Sequence, residues 1–337
     1  MDGNTPDMQP NKAILFTFDY EMFLLRLGTL ENCIIKPVDE LLKCCDSFGI
    51  KSTYFVDALY YMRLLESNET AEEAKLLKDQ LQRLVSTGNR IELHLHPQWL
   101  DAKRNGKEWE FPTFRYYRLH DLPDEKVTDL FVSCVELLHS TAREVDPVYT
   151  VIAFRAGGQC VQPFEKLKQG FIKSGIKVDS TVAKGLKRND GTHSYDFMDA
   201  PDSAIYRFLD DPAIEDKNGP FFEIPISSYI PSFISKITGT VTRLLHKDQF
   251  AIFGDGFGIP AHDSALKRLT SLHYPCTLDK IVPSKLTSMV RQIDQPIITL
   301  MSHPKLLTPF SLTALRRLHS QNHRFLTINE VLEESEQ

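Results

Sequence analysis

Short apolar runs alternate with amphipathic stretches along most of the chain. The apolar runs have the length of strands, and between them apolar residues recur every three or four positions, as in helices that pack one face onto a sheet. The predicted strands are 13–18, 52–56, 90–94, 149–154, 176–178, 221–226 and 296–301, and the main predicted helices are 37–48, 70–85, 124–145, 162–174, 283–293, 312–321 and 327–334. Strands that are apolar on both faces and alternate with helices predict a parallel sheet covered by helices, an open or closed α/β barrel.

Two stretches interrupt this alternation. Residues 97–122 have no clear period, carry several aromatic residues, and are too long for an ordinary connection, so we interpret them as a functional lid or rim. A second insertion near 184–280 surrounds the predicted strand 221–226 and contains some helix near 237–245. Because no internal repeat or long linker occurs, residues 13–337 are predicted to form a single domain after a disordered polar leader, residues 1–12.

The composition excludes some classes of function. The 337 residues are 42% hydrophobic and 25% charged, and the net charge is -6 with scattered Lys and Arg, so a nucleic-acid partner is not expected. The first twelve residues lack the apolar region of a signal peptide, and no apolar run is long enough to span a membrane. We therefore expect a cytoplasmic protein without a transmembrane segment. The six cysteines form no Cys-x-x-Cys pair, which favours free buried thiols. The oligomeric state stays open.

Polar residues follow the predicted strands at their carboxyl ends. In a parallel α/β barrel these ends lie on one face of the molecule, which is where active sites are built. The residues found there are Asp19 and Glu21 after the first strand, His94 and His96 after the third, Arg155 with Gly157 and Gly158 after the fourth, Asp179 after the fifth, and His303 after the last. Each has an ordinary structural explanation when taken alone. Their shared position at strand ends predicts a common site.

The two histidines are spaced for metal binding. His94 and His96 are two residues apart on a strand, so both side chains point to the same face. A carboxylate with two imidazoles suits a divalent transition ion, zinc first, with nickel, cobalt or manganese as alternatives. Asp19 and Glu21 are also two apart, so one could bind the ion while the other accepts a proton from a bound water, whose pKa an ion lowers towards ~7.

The remaining strand-end residues could complete a hydrolytic site. His303 could donate a proton to a leaving amine. Arg155 could hold the basic carboxylate in its charged form. Gly157 and Gly158 would let backbone N–H groups approach a developing oxyanion of the substrate.

Five segments resemble, in order and spacing, the motifs of the polysaccharide deacetylases, the carbohydrate esterases with NodB homology. They are residues 16–19, 94–96, 154–158, 178–182 and 300–304, and the resemblance covers roughly residues 13–330. It implies a distorted (β/α) barrel and the metal-dependent removal of an N-acetyl group from a sugar. By this resemblance Asp19 is the general base, His303 is the general acid, and Arg155 and Asp179 orient them. Trp99, at the start of the aromatic rim, could then stack on a sugar face.

The sequence departs from the usual motifs at two places. Tyr20 occupies the position of the second, metal-binding aspartate, so Glu21 would take that role, as in members with Asp-x-Glu. The usual second motif places its histidines four apart and would pair His94 with Gln98. A subgroup with a His-x-His-Pro motif pairs it with His96 instead. The spacing leaves the choice between Gln98 and His96 open.

Three alternatives to a sugar deacetylase follow from the same residues. Without a signal peptide, a small saccharide or saccharide precursor is the expected substrate, and deformylation or hydrolysis of a non-sugar amide would use the same groups. Metal-dependent phosphoesterases and amidohydrolases also use His-x-His, but they place it on the first strand. A carbohydrate-binding protein with a degenerate site is the non-enzymatic alternative, and the presence of both Asp19 and His303 argues against it.

Overall fold

The structure of the chain is a computed structural model. It describes residues 11–24, 26–106, 108–113, 115–258 and 273–336. Most of the predicted leader, 1–12, lies outside these residues. Its last residue, Lys12, is not part of a disordered leader, because it is buried and its Nζ donates a hydrogen bond of 3.0 Å to the Val290 carbonyl. The packed part of the chain therefore includes Lys12.

A curled parallel sheet forms the centre of the molecule. The strands of the described residues are β1 (Ala13–Tyr20), β2 (Thr53–Asp57), β3 (Arg90–Leu95), β4 (Lys103–Asn105), β5 (Glu108–Glu110), β6 (Ala153–Ala156), β7 (Val178–Asp179), β8 (Lys187–Asn189), β9 (Ser194–Asp196), β10 (Tyr206–Phe208), β11 (Phe221–Glu223), β12 (Ser228–Tyr229), β13 (Tyr274–Pro275), β14 (Ile297–Ser302) and β15 (Arg324–Leu326). Seven of them run parallel in the order β11-β7-β6-β3-β2-β1-β14. Seven strands were also predicted from the sequence, so the predicted parallel sheet is confirmed.

The sheet curls so far that its two ends are bridged. β10 adds an antiparallel strand beside β11, and β15 pairs with β1 off the main path. Just after β11, the backbone N–H of Ser227 donates to the Thr299 carbonyl in β14, and the Thr299 N–H donates to the Ser227 hydroxyl, both at 3.0 Å. The α/β class and the distorted barrel predicted for this chain are confirmed.

Helices cover the outside of the curled sheet. In the described residues they are α1 (Lys36–Asp46), α2 (Ala58–Leu65), α3 (Ala71–Ser86), α4 (Asp124–Arg143), α5 (Glu165–Ser174), α6 (Phe233–Leu245), α7 (Pro283–Gln292), α8 (Pro309–His319) and α9 (Ile328–Ser335). Their buried residues follow a helical period, as in α3, where Ala74, Leu77, Leu81 and Leu84 face the sheet. α2 was not predicted, because its eight residues are too few for a helical period to stand out in the sequence.

Strand registers bring the carboxyl ends of the strands together. His94 of β3 pairs with Asp57 of β2 on one side and with Arg155 of β6 on the other. A buried carboxylate supports this register, since Glu92 accepts hydrogen bonds from the backbone N–H groups of Ile152 at 2.8 Å and Ala153 at 2.9 Å. The strands that carry the candidate site are thereby held at one level.

The two predicted insertions are partly structured. Residues 97–122 include the β4–β5 hairpin, and the first part of the second insertion forms the β8–β9 hairpin. The second insertion also contains residues 259–272, which lie outside the described residues. All six cysteines are buried and free, as predicted. Among the described residues, no helix combines the length and the apolar character that crossing a membrane requires.

Candidate active site

The strand ends of the barrel surround a pocket of about 200 Å³. Seven of the predicted site residues line it, namely Asp19, Glu21, His94, His96, Arg155, Gly158 and His303. Further walls come from the two insertions, and they include Tyr117, Arg188, His193 and Tyr195. The sequence therefore identified the floor of the pocket by residue, whereas for the rim it predicted only the segment 97–122.

Three buried side chains converge on a single point. The Nε2 atom of His94 lies 3.1 Å from Glu21 Oε2, and the Nε2 atom of His96 contacts the same oxygen. The candidate ligand atoms of the three residues all lie within 4.8 Å of one another. Gln98 is buried with neither amide atom hydrogen-bonded in the described part of the chain, and it does not line the pocket. The structure thus brings His96, and not Gln98, to Glu21.

Lys305 holds the other oxygen of Glu21. Its ammonium group donates to Glu21 Oε1 and to the Met22 carbonyl, each at 2.7 Å, and the side chain is buried. Burial would raise the pKa of Glu21, but Lys305 and the two imidazoles hold that pKa well below its ordinary value. A lysine just after a strand usually faces solvent, so no sequence signal pointed to this contact.

Arg155 fixes the carboxylate of Asp19. One guanidinium nitrogen of Arg155 lies 2.7 Å from Asp19 Oδ1, while two others bond to the carbonyl and hydroxyl oxygens of Ser180 at 2.7 and 3.0 Å. Burial would raise the pKa of Asp19, but the positive charge of Arg155, together with those of His94 and His303, outweighs it and lowers the pKa. Asp19 is therefore an ionised carboxylate held in one orientation.

His303 lies on the opposite side of the pocket from Arg155. Its Nε2 is 3.7 Å from Asp19 Oδ2 and 3.6 Å from Glu21 Oε1, and its Nδ1 is 2.6 Å from Asp279 Oδ2. Burial lowers the pKa of His303, but the carboxylates, Asp279 foremost, outweigh it and raise the pKa to about 9. The imidazole is therefore protonated at neutral pH. Asp279 lies in the second insertion, whose irregular sequence gave no signal of this role.

Asp179 does not line the pocket. It accepts hydrogen bonds from the hydroxyl group of Thr181 at 2.8 Å and from the backbone N–H of the same residue at 3.1 Å. That hydroxyl oxygen in turn accepts from the N–H of Ala156, next to Arg155. Asp179 thus contacts Arg155 only through intermediates, and its predicted role in orienting the site stays a prediction.

The stacking role predicted for Trp99 is wrong for this structure. The ring is fully buried, with 0% exposure, and its Nε1 donates a 2.7 Å hydrogen bond to Asp57 Oδ2. Tyr60 and Phe111 pack on it, so no ring face is open to a sugar. Trp99 is predicted on the rim because its segment has no clear period. In the structure the side chain packs into the core instead.

The two glycines after Arg155 are required by close approaches. A Cβ on Gly157 would lie 2.6 Å from the carbonyl oxygen of Leu95, so only glycine allows β3 and this turn to come together. Gly158 has a φ of +60°, in the left-handed region, and lines the pocket. Their predicted use as oxyanion donors stays a prediction.

A buried pair of carboxyl groups beneath the pocket makes a testable prediction about stability. Glu223 lies beside Asp179 in the register of β7 and β11, and burial together with the charge of Asp179 raises the pKa of Glu223 well above its ordinary value. A carboxyl group whose pKa is raised by folding stabilises the protein at low pH, and this contribution is lost as the pH rises from about 4.3 through the folded pKa.

We therefore expect Glu223→Gln, which removes the proton equilibrium and keeps the shape, to flatten the dependence of Tm on pH and to raise Tm at pH 8 by a few degrees. Thermal unfolding between pH 5 and 8 measures it. Glu215→Gln, at an exposed position, is the matched control. An unchanged pH slope in Glu223→Gln would show that Glu223 does not titrate in this range.

Comparison with known proteins finds likeness in structure only. No family model and no curated protein sequence matches the chain. A solved structure described as a putative polysaccharide deacetylase from Mycobacterium smegmatis is 17% identical, with 98% of this chain and 91% of that chain covered and a TM-score of 0.49. A polysaccharide deacetylase from Bacillus cereus is 10% identical, with 92% and 86% covered and a TM-score of 0.39.

A third similar structure has a different described activity. A 4-alpha-glucanotransferase from Thermococcus litoralis is 14% identical, and 96% of this chain matches 40% of that chain with a TM-score of 0.50. At 14% identity this likeness is one of fold alone. Function has to be argued from the site.

Proposed function

We propose that this chain is a metal-dependent hydrolase that removes an N-acetyl group from a sugar or saccharide precursor. One observation carries the proposal. The carboxylate of Asp19 and the imidazolium of His303 lie in the same pocket, beside the convergent side chains of Glu21, His94 and His96. A base, an acid and a set of nitrogen and oxygen ligands are the parts that metal-assisted amide hydrolysis needs.

The three convergent residues fit a divalent ion. His94 Nδ1 lies 2.8 Å from the Arg155 carbonyl, which only accepts, so Nδ1 carries a proton and Nε2 is the atom directed at Glu21. Burial lowers the pKa of His94, but Glu21 and Asp19 outweigh it and raise the pKa. The two carboxylates thus favour a positive charge at this point, which a bound cation would also supply. Two imidazole nitrogens with one carboxylate oxygen are a donor set that zinc prefers.

A divalent ion bound by Glu21, His94 and His96 would supply Lewis-acid activation of a water molecule and of the substrate carbonyl. The chain's own groups would move the protons. Asp19, ionised and oriented by Arg155, would accept a proton from the attacking water. Lys305 keeps Glu21 Oε1 occupied, which leaves Oε2 for the ion.

His303 would act as the general acid. With a pKa of about 9 it is protonated at neutral pH, and its Nε2 faces the pocket because its Nδ1 is held by Asp279. It would give this proton to the nitrogen of the amide as the C–N bond breaks, so that the amine leaves uncharged. The base and the acid have separate partners, since Asp19 is held by Arg155 and His303 by Asp279.

The proposal is tested by metal analysis combined with product release. We expect the purified protein to hold about one divalent ion per chain and to release acetate from N-acetylated saccharides. Chelation should abolish release, and reloading with zinc, nickel, cobalt or manganese should restore it to different degrees. Asp19→Asn, which removes the base, is expected to lower the rate by ~10²–10⁴-fold.

The same panel separates the alternatives. N-formylated sugars and non-sugar acetamides belong in it, because formate release alone would indicate a deformylase and turnover of non-sugar amides a general amidase. A protein that binds saccharides, holds no metal and releases neither acid would be a carbohydrate-binding protein, contrary to the proposal.

A further inference from the structure

A chain of three polar side chains crosses the rim of the pocket. Tyr117 comes from the first insertion, and Asp190 and His193 come from the β8–β9 hairpin of the second. The hydroxyl oxygen of Tyr117 lies 2.8 Å from His193 Nε2, and His193 Nδ1 lies 3.2 Å from Asp190 Oδ1. Tyr117 and His193 both line the pocket that holds Asp19 and Glu21. The proposed chemistry uses none of these three residues.

The partners of His193 determine which way its hydrogen bonds point. Arg188, which can only donate, places a guanidinium nitrogen 3.3 Å from His193 Nε2, so this ring nitrogen must be an acceptor. The proton of the neutral imidazole is then on Nδ1, where Asp190 accepts it. Burial and the charge of Arg188 lower the pKa of His193, in agreement with a neutral ring.

It follows that Tyr117 is the donor in its contact with His193. Its only hydroxyl proton is committed to His193 Nε2, and its oxygen keeps lone pairs that can only accept a hydrogen bond. The side chain is 7% exposed, so the hydroxyl cannot turn to solvent without leaving its partner. A fixed acceptor is thereby presented to whatever fills the pocket.

We propose that Tyr117 is a substrate-binding residue whose oxygen accepts a hydrogen bond from an uncharged donor of the substrate, held in this state by His193 and Asp190. This inference rests on the proposed function, which it deepens. It assigns the substrate a free hydroxyl group or amide N–H beside the acyl group. A saccharide with free ring hydroxyls meets this requirement.

Equilibrium binding tests the inference independently of turnover. N,N′-diacetylchitobiose is titrated into the chelator-treated full chain, and the steady-state constants are measured with metal. Tyr117→Phe should raise both Kd and KM by about 5-fold, which is the effect of one neutral hydrogen bond. It should leave kcat within about 2-fold of the wild-type value. Tyr116→Phe, a neighbouring tyrosine that does not line the pocket, should bind as the wild type does.

Variants of His193 separate positioning from mere packing. His193→Gln keeps an acceptor for the Tyr117 proton and should retain most of the affinity, whereas His193→Leu should lose as much as Tyr117→Phe. Mono-deoxy analogues lack one O–H each, and an ester analogue lacks the N–H. The analogue that lacks the recognised donor should bind equally to the wild type and to Tyr117→Phe, and the other analogues should still bind the wild type more tightly.

Three results would overturn the inference. They are unchanged Kd in Tyr117→Phe, equal affinity in the two His193 variants, and no saccharide binding by the wild type with or without metal. Saccharide binding that depends on Tyr117 supports the inference even if the protein releases no acetate. The absence of acetate release would contradict the proposed function alone.

Discussion

His303→Ala should keep its bound metal and lose turnover, whereas His94→Ala should lose both. His303 contacts Asp279 and the carboxylates from the outer side of the cluster, so its removal leaves the three convergent side chains in place. Loss of a general acid lowers kcat by ~10²–10⁴-fold. His94 supplies one of the three nitrogen and oxygen donors, and a site with two protein donors binds a divalent ion poorly.

Elemental analysis of the dialysed variants, together with acetate release, measures both effects. His246→Ala, at an exposed position outside the pocket, is the control for the loss of a histidine as such. Equal metal loss in His303→Ala and His94→Ala would contradict the division between acid and ligand, and so would full activity in either of them.

Arg155→Met should destabilise the fold as well as abolish activity. Arg155 is 1% exposed and its guanidinium lies against Asp19, so its removal takes the nearest counter-charge away from a buried carboxylate. Breaking a buried ion pair from one side costs ~3–5 kcal/mol of the free energy of unfolding. Two hydrogen bonds to Ser180, which hold the loop after β7, are lost at the same time.

A double-mutant cycle isolates the ion pair in chemical denaturation. Adding Asp19→Asn to Arg155→Met should recover part of the lost free energy of unfolding, since the neutral amide is cheaper to bury than an unpaired carboxylate. If the double variant is as unstable as the sum of the two single ones, the charge of Asp19 is not what Arg155 stabilises, and the contacts with Ser180 account for the loss.

Much of the architecture follows from local patterns. The predicted strand 13–18 lies within the eight buried residues of β1, and a helix such as α3 shows one apolar face. α2 and the short hairpins were not predicted from the sequence. A helix of eight residues and strands of three residues have too few positions for a period to show. The small strands depend on neighbours that pair with them and not on their own residues.

The site was predictable where strand topology alone decides proximity. The carboxyl ends of parallel strands lie on one face of the sheet. Asp19, His94 and His303 were therefore expected to lie on the same side of the molecule. Trp99 shows where this reasoning stops. It was placed on the rim because its segment has no period, but Asp57 and the packed rings of its neighbours hold it inside.

The sequence by itself determined the α/β alternation, the carboxyl-end position of the acid, the base and the histidine pair, and the resemblance that these motifs carry. The tertiary structure alone decided that His96 reaches Glu21 where Gln98 does not, that Lys305 and Asp279 hold the reacting groups, and that Tyr117 meets His193 over the pocket. The reason is physical. Periodicity is set by neighbours along the chain, whereas these contacts depend on how far the sheet curls and how the insertions fold back over it.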